Sequence, residues 1–328
     1  MDIDMSALRM LVAERDIPLD RLVPTIEQAL LMAYQRTPGA LKRARAELDR
    51  ASGHVTIWAT ELDEEGAAVG EFDDTPNGFG RVAASTARQV ILQRLREADD
   101  DKVLGDFKEK EGELVSGVVQ QGNNRQMIQV NLGTLEAVLP PPEQVPGEQY
   151  PHGRRLRTYV VSANRGSKGP SVTVSRSHPN LVRRLFELEV PEIADGSVEI
   201  TALAREAGHR TKMAVKATRA GINAKGAAIG EMGSRVRAVM TELGDEKIDI
   251  VEHSDDPAAM IAHALSPAQT VSVEIVDADQ HSARVVVPQH QLSLAIGKEG
   301  QNARLAAKLT GWRIDIVGDG AAAQAPGH

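Results

Sequence analysis

The 328 residues are too many for one small core, 41% of them are hydrophobic, and no stretch approaches the roughly 20 apolar residues that span a bilayer; two to four packed domains are predicted, and wholesale disorder is excluded. There is no cysteine, which excludes thiol catalysis, thiolate metal sites and disulfides, and the two Trp, three Tyr and four Phe leave little aromatic surface for stacking on bases. The net charge of −8 argues against a generally sticky nucleic-acid coat, but it is uneven: residues 1–112 carry 15 basic and 22 acidic side chains, 113–180 seven and four, and 181–328 sixteen and twenty.

The acidic opening, MDIDMSALRM, lacks the basic-then-apolar order of a signal peptide, so a cytoplasmic protein is expected. Residues 18–50 read as helical, with Ile26, Leu30, Ala33 and Tyr34 on one face and a basic run at Lys42, Arg43 and Arg45. That run reads either as a solvated helix end or as a contact surface. A strand at 54–60 (HVTIWAT), an acidic loop at 61–80 and a long helix over about 82–98 complete a mixed N-terminal unit ending near residue 112. From Glu113 five short alternating strands follow within about 65 residues, which predicts a small β-barrel over 113–178. Pro140 and Pro141 break that pattern and mark an excursion before the fourth strand.

The last 150 residues contain an internal repeat. VEI at 198–200 recurs at 273–275, AIG at 228–230 recurs at 295–297, and IDIV at 248–251 recurs at 314–317. Each copy reads helix, strand, strand, helix, glycine loop, helix, strand, with lead helices near 179–188 and 256–265. An insertion in the first copy is expected around ATRAGINAKG. The end, GDGAAAQAPGH, reads as a disordered tail over 319–328.

Both copies place a G-x-x-G tetrapeptide between helices, GEMG at 230–233 and GKEG at 297–300. Glycine lets a phosphodiester lie against bare backbone, and the next helix directs its free N–H groups at the anion. A single G-x-x-G is usually no more than a turn between packed helices, but its recurrence in one setting, with an arginine at the same offset, favours phosphate. The Walker and dinucleotide-loop patterns do not fit, because no strand leads directly into either loop. The second helix of each pair is expected to bury Val236, Val239, Met240 and Leu243 in one copy and Ala303, Ala306, Ala307 and Thr310 in the other. Arg235 and Arg237, or Asn302 and Arg304, then lie on the polar side.

The repeat resembles the KH module, whose G-x-x-G loop clamps four nucleotides of a single strand, in its bacterial (type II) order. Two such modules (179–253 and 254–318) behind an OB-type barrel resemble the NusA family of bacterial transcription elongation and termination factors. The likeness is carried by GVVQQ…QMIQVNLG…EAVLP, VTVSRSHPNLVRRLFELEVPEI, GEMGSRVRAVMTELGDEKIDIV and LAIGKEGQNARLAAKLTGW, and by TARQVILQRLREAD followed by FKEKEGEL. It implies an α+β multidomain fold in which residues 1–112 dock on RNA polymerase while the barrel and both KH modules take nascent single-stranded RNA. It further implies a role in pausing, termination and antitermination, other antitermination factors as partners, and no chemistry, cofactor or metal of the chain's own. A monomer is expected. The sequence ends about ten residues past its last strand, so the acidic repeats of some lineages, and autoinhibition through them, are expected to be absent.

The RNA-facing residues expected in the first module are Lys225, Ile229, Gly230, Glu231, Met232, Gly233, Arg235 and Arg237. In the second they are Ile296, Gly297, Lys298, Glu299, Gly300, Gln301, Asn302 and Arg304. Glu231 opposes phosphate where Lys298 favours it, so the second loop is expected to grip more firmly. The barrel offers Met127, Ile128 and, as the one ring within a strand, Tyr159, so its contacts are expected to be electrostatic through Arg154, Arg155, Arg157, Arg165 and Lys168. A KH/OB protein of RNA decay or ribosome assembly is the alternative reading of the same elements. A nucleotide-hydrolysing enzyme would have to show turnover, and none is expected.

Overall fold

The computed structural model describes residues 3–14, 19–64, 67–122, 124, 126–167 and 169–322. The chain forms two compact units: residues 1–106 with 165–170, and residues 107–164 with 171 onward.

In the first unit, α1 (Met5–Glu14), α2 (Leu19–Gln35) and α3 (Phe79–Lys108) accompany an antiparallel sheet of β1 (Ala44–Leu48), β2 (Val55–Leu62) and β3 (Ala68–Asp73) in that order. The core gathers Leu22, Ile26, Leu30 and Tyr34, one stripe of α2 at helical spacing, with Ile57 of β2 and Phe79 and Ala83 of α3. The helix expected over 18–50 stops at Gln35. Pro38 disfavours helical geometry at Thr37, whose N–H and hydroxyl both donate to Tyr34 O (2.8 and 2.6 Å), and Gly39 turns away at φ +87°. The basic run therefore sits on and beside a strand, not at a helix end: Arg45 on β1 makes ion pairs with Glu71 and Glu47 and lies 5.8 Å from the Trp58 ring centroid. β3 falls within the expected loop. All six of its residues are exposed, so it lacks the apolar alternation that reveals a strand.

The second unit begins with Phe107, which is buried, and Gly112, whose N–H donates to Val160 O. The barrel closes in the order β4 (Leu114–Gln120), β5 (Ile128–Asn131), β6 (Glu136–Leu139), β8 (Gly169–Ser175), β7 (Arg155–Gly166), with the β6–β8 pair parallel at Val138 and Thr173. Gly117 permits closure, since a Cβ there would stand 2.5 Å from the Val130 side chain and 2.8 Å from Asn131 O. The 140–154 excursion returns through Glu143, whose carbonyl accepts from the N–H groups of Arg176 and Ser177 just after β8.

The first repeat contains α4 (Pro179–Glu189), α5 (Pro191–Ala194), β9 (Val198–Glu206), β10 (Arg210–Ala217), α6 (Ala224–Ile229), α7 (Ser234–Glu242) and β11 (Lys247–Glu252). The second contains α8 (Pro257–Ala264), β12 (Ser272–Asp277), β13 (Ser282–Val287), α9 (Leu292–Ile296), α10 (Gln301–Thr310) and β14 (Arg313–Gly318), and a single turn, α11 (Asp319–Ala322), follows. The sheets run β11-β10-β9 and β12-β13-β14, each with one antiparallel and one parallel pair. Both lead helices open on proline behind a capping side chain: His178 Nδ1 accepts from Asn180 N, and Asp256 Oδ2 accepts from Ala259 N. The extra length of the first copy is shared between the expected loop and the hairpin, whose strands have nine and eight residues against six and six.

The first module is centred on Leu181, Leu185, Phe186, Met213, Val215 and Val239. Its sheet also presents Ala204, Ala214 and Val251 to Met260, Ile261, Leu305, Ala306 and Leu309, so α8 and α10 of the second module share a core with it. Small alanines on the strands let the helices approach, and each leucine so buried contributes about 2 kcal/mol. The buried face of α10 is consequently Asn302, Leu305, Ala306 and Leu309. The expected alanine seam is rotated by one position, because the bulkier leucines fill the shared core. Residues 323–328 of the expected tail lie outside the described residues.

Candidate nucleic-acid interface

The two glycine loops share one backbone. Gly230 and Gly297 have φ/ψ of 75°/169° and 78°/171°, Met232 and Glu299 of 45°/28° and 53°/27°, and Gly233 and Gly300 of 76°/18° and 74°/12°. Three left-handed residues in four reverse the chain between helices, and glycine supplies two of them without strain. The third, Met232 or Glu299, carries a side chain there, and Met232 is 88% exposed. Neither α7 nor α10 has a side-chain N-cap, so the first-turn N–H groups behind each loop have no side-chain acceptor competing with an anion.

The residue five positions after the first glycine is structural in both copies. Arg235 donates to Glu192 (2.8 Å) and Ala227 O (2.7 Å), and its Cγ lies 2.6 Å from where a Cβ on Gly230 would stand. Asn302 is wholly buried, donates to Leu265 O (3.0 Å) and Ala295 O (2.9 Å), and fills the same space above Gly297. The polar-side placement expected for Arg235 and Asn302 is therefore corrected: each ties the loop to the preceding short helix. Asn302→Ala should lower stability by about 1–3 kcal/mol by removing two buried hydrogen bonds, to Leu265 O and Ala295 O, and emptying the space above Gly297, as measured by denaturant unfolding. A loss under a few tenths would count against this role.

Lys225, Glu231, Arg237 and Lys298 are exposed and make no ion pair among the described residues. Ile229 is half-buried against the first module's core, whereas Ile296 is 38% exposed beside Gly297. Gln301 and Arg304 are engaged across the module boundary. Gln301 Nε2 donates to Glu206 (3.0 Å), Arg304 Nε donates to Glu206 (2.6 Å), and Arg304 Nη1 donates to Glu299 O (3.2 Å). The Arg304 hydrogen bond and charge hold the Glu206 carboxyl down at about 2. Sequence reasoning missed Glu206, since no local pattern links it to a loop some 95 residues later.

The barrel arginines divide. Arg154 is tied to Glu148 (3.0 Å) and to Gln149 O, and Arg165 to Asp101, while Lys168 lies outside the described residues. Arg155 is exposed and makes no ion pair among the described residues, and Arg157 has only distant partners in Glu189 (3.9 Å) and Glu242 (4.0 Å). These two flank a cleft on the outer face of β4 that also takes in Ser116, Gln120 and Asn131. Tyr159 offers no stacking platform, since it is buried, stacks on His178 at 4.5 Å between centroids and accepts from Asn180. Met127 is 37% exposed.

Known proteins share this arrangement. Residues 176–253 match the NusA-like first KH domain, residues 257–324 the NusA-like second KH domain, and residues 5–63 the NusA N-terminal domain. The transcription termination/antitermination protein NusA of Mycobacterium tuberculosis is 59% identical over 326 residues, covering 97% of this chain and 94% of its own. The protein of that name from Bacillus subtilis is 42% identical, covering 95% of this chain and 90% of its own, and that from Thermus thermophilus 38%, covering 94% and 88%. With three matched domains in order and similarity along almost its whole length, the chain belongs to the NusA family of transcription termination/antitermination proteins.

Proposed function

We propose that this RNA-binding transcription factor docks on RNA polymerase through residues 1–112 and takes the nascent transcript along the barrel (113–178) and the two KH modules (179–253 and 254–318), so modulating pausing, termination and antitermination. The observation that carries the RNA reading is the repeated loop: two G-x-x-G turns of the same dihedral angles, each before a helix without a side-chain cap. Phosphate contacts fall to the loop backbones, Lys225, Arg237 and Lys298, with Arg155 and Arg157 on the barrel. Arg235 and Asn302 support from beneath. Unpaired RNA is the ligand, because a KH groove reads exposed base edges. The acidic N-terminal unit suits a protein partner. No helix among the described residues is long and apolar enough to cross a membrane, and the reading places the chain in the cytoplasm, as a monomer.

Crosslinking on a paused elongation complex tests both halves together. Transcript crosslinks are expected at Lys298 and Lys225, and polymerase crosslinks within residues 1–112. Transcript crosslinks without any polymerase contact would turn the reading towards RNA decay or ribosome assembly.

A further inference from the structure

Arg237 and Arg304 occupy the same position in the repeat, seven residues after the first glycine of each loop, yet only one is tied down. Arg237 is exposed without an ion pair among the described residues, whereas Arg304 is held from two directions. On one side its Nε donates to a Glu206 carboxylate oxygen at 2.6 Å. On the other, its Nη1 donates to the carbonyl of Glu299 at 3.2 Å, and Glu299 is the non-glycine loop residue held at φ +53°. The second Glu206 oxygen accepts from Gln301, the first residue of α10. One carboxylate at the end of β9 therefore grips the start of α10 directly and the loop's left-handed residue through Arg304.

We infer that Glu206, a residue of the first KH module, is a positioning residue for the phosphate loop of the second, so that docking of the modules rigidifies the second loop in its anion-binding shape. This rests on the proposed reading of the loops as RNA clamps. A left-handed conformation at a non-glycine residue is strained. Met232 holds it in the first loop without such a chain, so the Glu206–Arg304–Glu299 chain adds rigidity to a shape both loops share and does not create it. The first loop has no counterpart chain from Arg237 among the described residues. Simple electrostatics points the opposite way, since a carboxylate close to an RNA site should weaken binding and its removal strengthen it. The sign of the effect therefore separates positioning from mere competition for Arg304.

The test uses the whole chain with Glu206→Gln, a labelled unstructured RNA long enough to reach both loops, and hydrogen exchange of the loop amides. Glu206→Gln should lower affinity about fivefold, the loss of roughly one charged hydrogen bond's worth of order, although it removes a negative charge. It should also speed exchange at Glu299 and Gly300 while leaving Met232 and Gly233 unchanged. Combined with Arg304→Gln it should cost clearly less than the sum of the two single losses, because the charged Glu206–Arg304 contact is shared and only the neutral Gln301 bond is separate. Equal or tighter RNA binding, or an additive double variant, would overturn the inference. Unchanged loop exchange would overturn it whatever the RNA result. If the unsubstituted chain does not bind RNA, the reading of the loops as clamps fails, and the exchange measurement alone decides whether Glu206 positions the second loop.

Discussion

Gly297→Asp is expected to weaken binding of unstructured RNA about 100-fold, the equivalent of roughly 3 kcal/mol, and Gly230→Asp about tenfold. At Gly297 the backbone is held at φ +78°, and a Cβ would lie 2.8 Å from both the backbone N and the Cβ of Asn302. Asn302 cannot retreat, because its amide is bonded to two carbonyls inside the shared core. The loop must deform instead, at about 1–3 kcal/mol of strain, and the new carboxylate adds about 1 kcal/mol of repulsion at 4 Å from a phosphate in water. At Gly230 the closest atoms are the Cγ (2.6 Å), Cδ (2.9 Å) and Cβ (3.0 Å) of Arg235, part of a long side chain that can swing aside if it gives up Glu192 and Ala227 O. The first loop is also expected to start from a weaker grip, with Glu231 where the second has Lys298. Titration of labelled RNA at fixed salt measures both variants, and equal losses or the reverse order would count against the ranking. Both affinities should fall with rising salt as phosphate contacts release counterions.

The elements that echo themselves were readable from the residues alone. Two copies of VEI, AIG and IDIV point to two repeated modules, and short alternating runs with turn glycines between them point to the strands that the barrel contains. Where the reading failed, a partner distant in sequence decided the outcome. The stretch LKRARAEL is made of good helix formers, but pairing with β2, with Arg45 against Glu71 and beside Trp58, makes part of it a strand. Arg235 and Asn302 look like solvent positions on a helical wheel. The space left by the bare first glycine lies directly above them, and each side chain fills it. Arg154, Arg165 and Arg304 count as free cations in a sequence and as bound ones in the fold, since Glu148, Asp101 and Glu206 lie 6, 64 and 98 residues from them. Charge at a candidate RNA face is therefore overestimated by residue type. What remains exposed and without an ion pair around the loops among the described residues, Lys225, Arg237 and Lys298, is a smaller set.

Arg176→Ala should destabilise the second unit by about 3–5 kcal/mol, the cost of removing one partner from a buried ion pair. Arg176 follows β8 directly, and its side chain is 1% exposed. It donates to both oxygens of Glu148 (2.7 and 3.2 Å), to Arg157 O (2.9 Å), to Glu242 O (2.8 Å) and to the Glu242 carboxylate (3.3 Å). Glu148 and Arg157 belong to the barrel segment and Glu242 ends α7, so one guanidinium fixes the barrel to the helix that carries the first glycine loop. Its cation also faces the negative end of that helix. Burial pushes the Glu148 carboxyl up, but the hydrogen bond and charge of Arg176, with Tyr150 and Arg154, hold it below the ordinary glutamate value. A depressed carboxylate contributes stability that is fully present above the unfolded value near 4.5 and is lost as pH falls through the folded one. The deficit of the variant should therefore be constant at neutral pH and shrink on acidification below about 4.5. Arg176→Lys keeps the charge but loses the fork that reaches five acceptor atoms, so an intermediate loss is expected. Denaturant unfolding followed on the second unit, at neutral and acid pH, distinguishes the cases. A loss under 1 kcal/mol at neutral pH would show that shared apolar packing, with Tyr159 against α4, holds the barrel in place without this arginine.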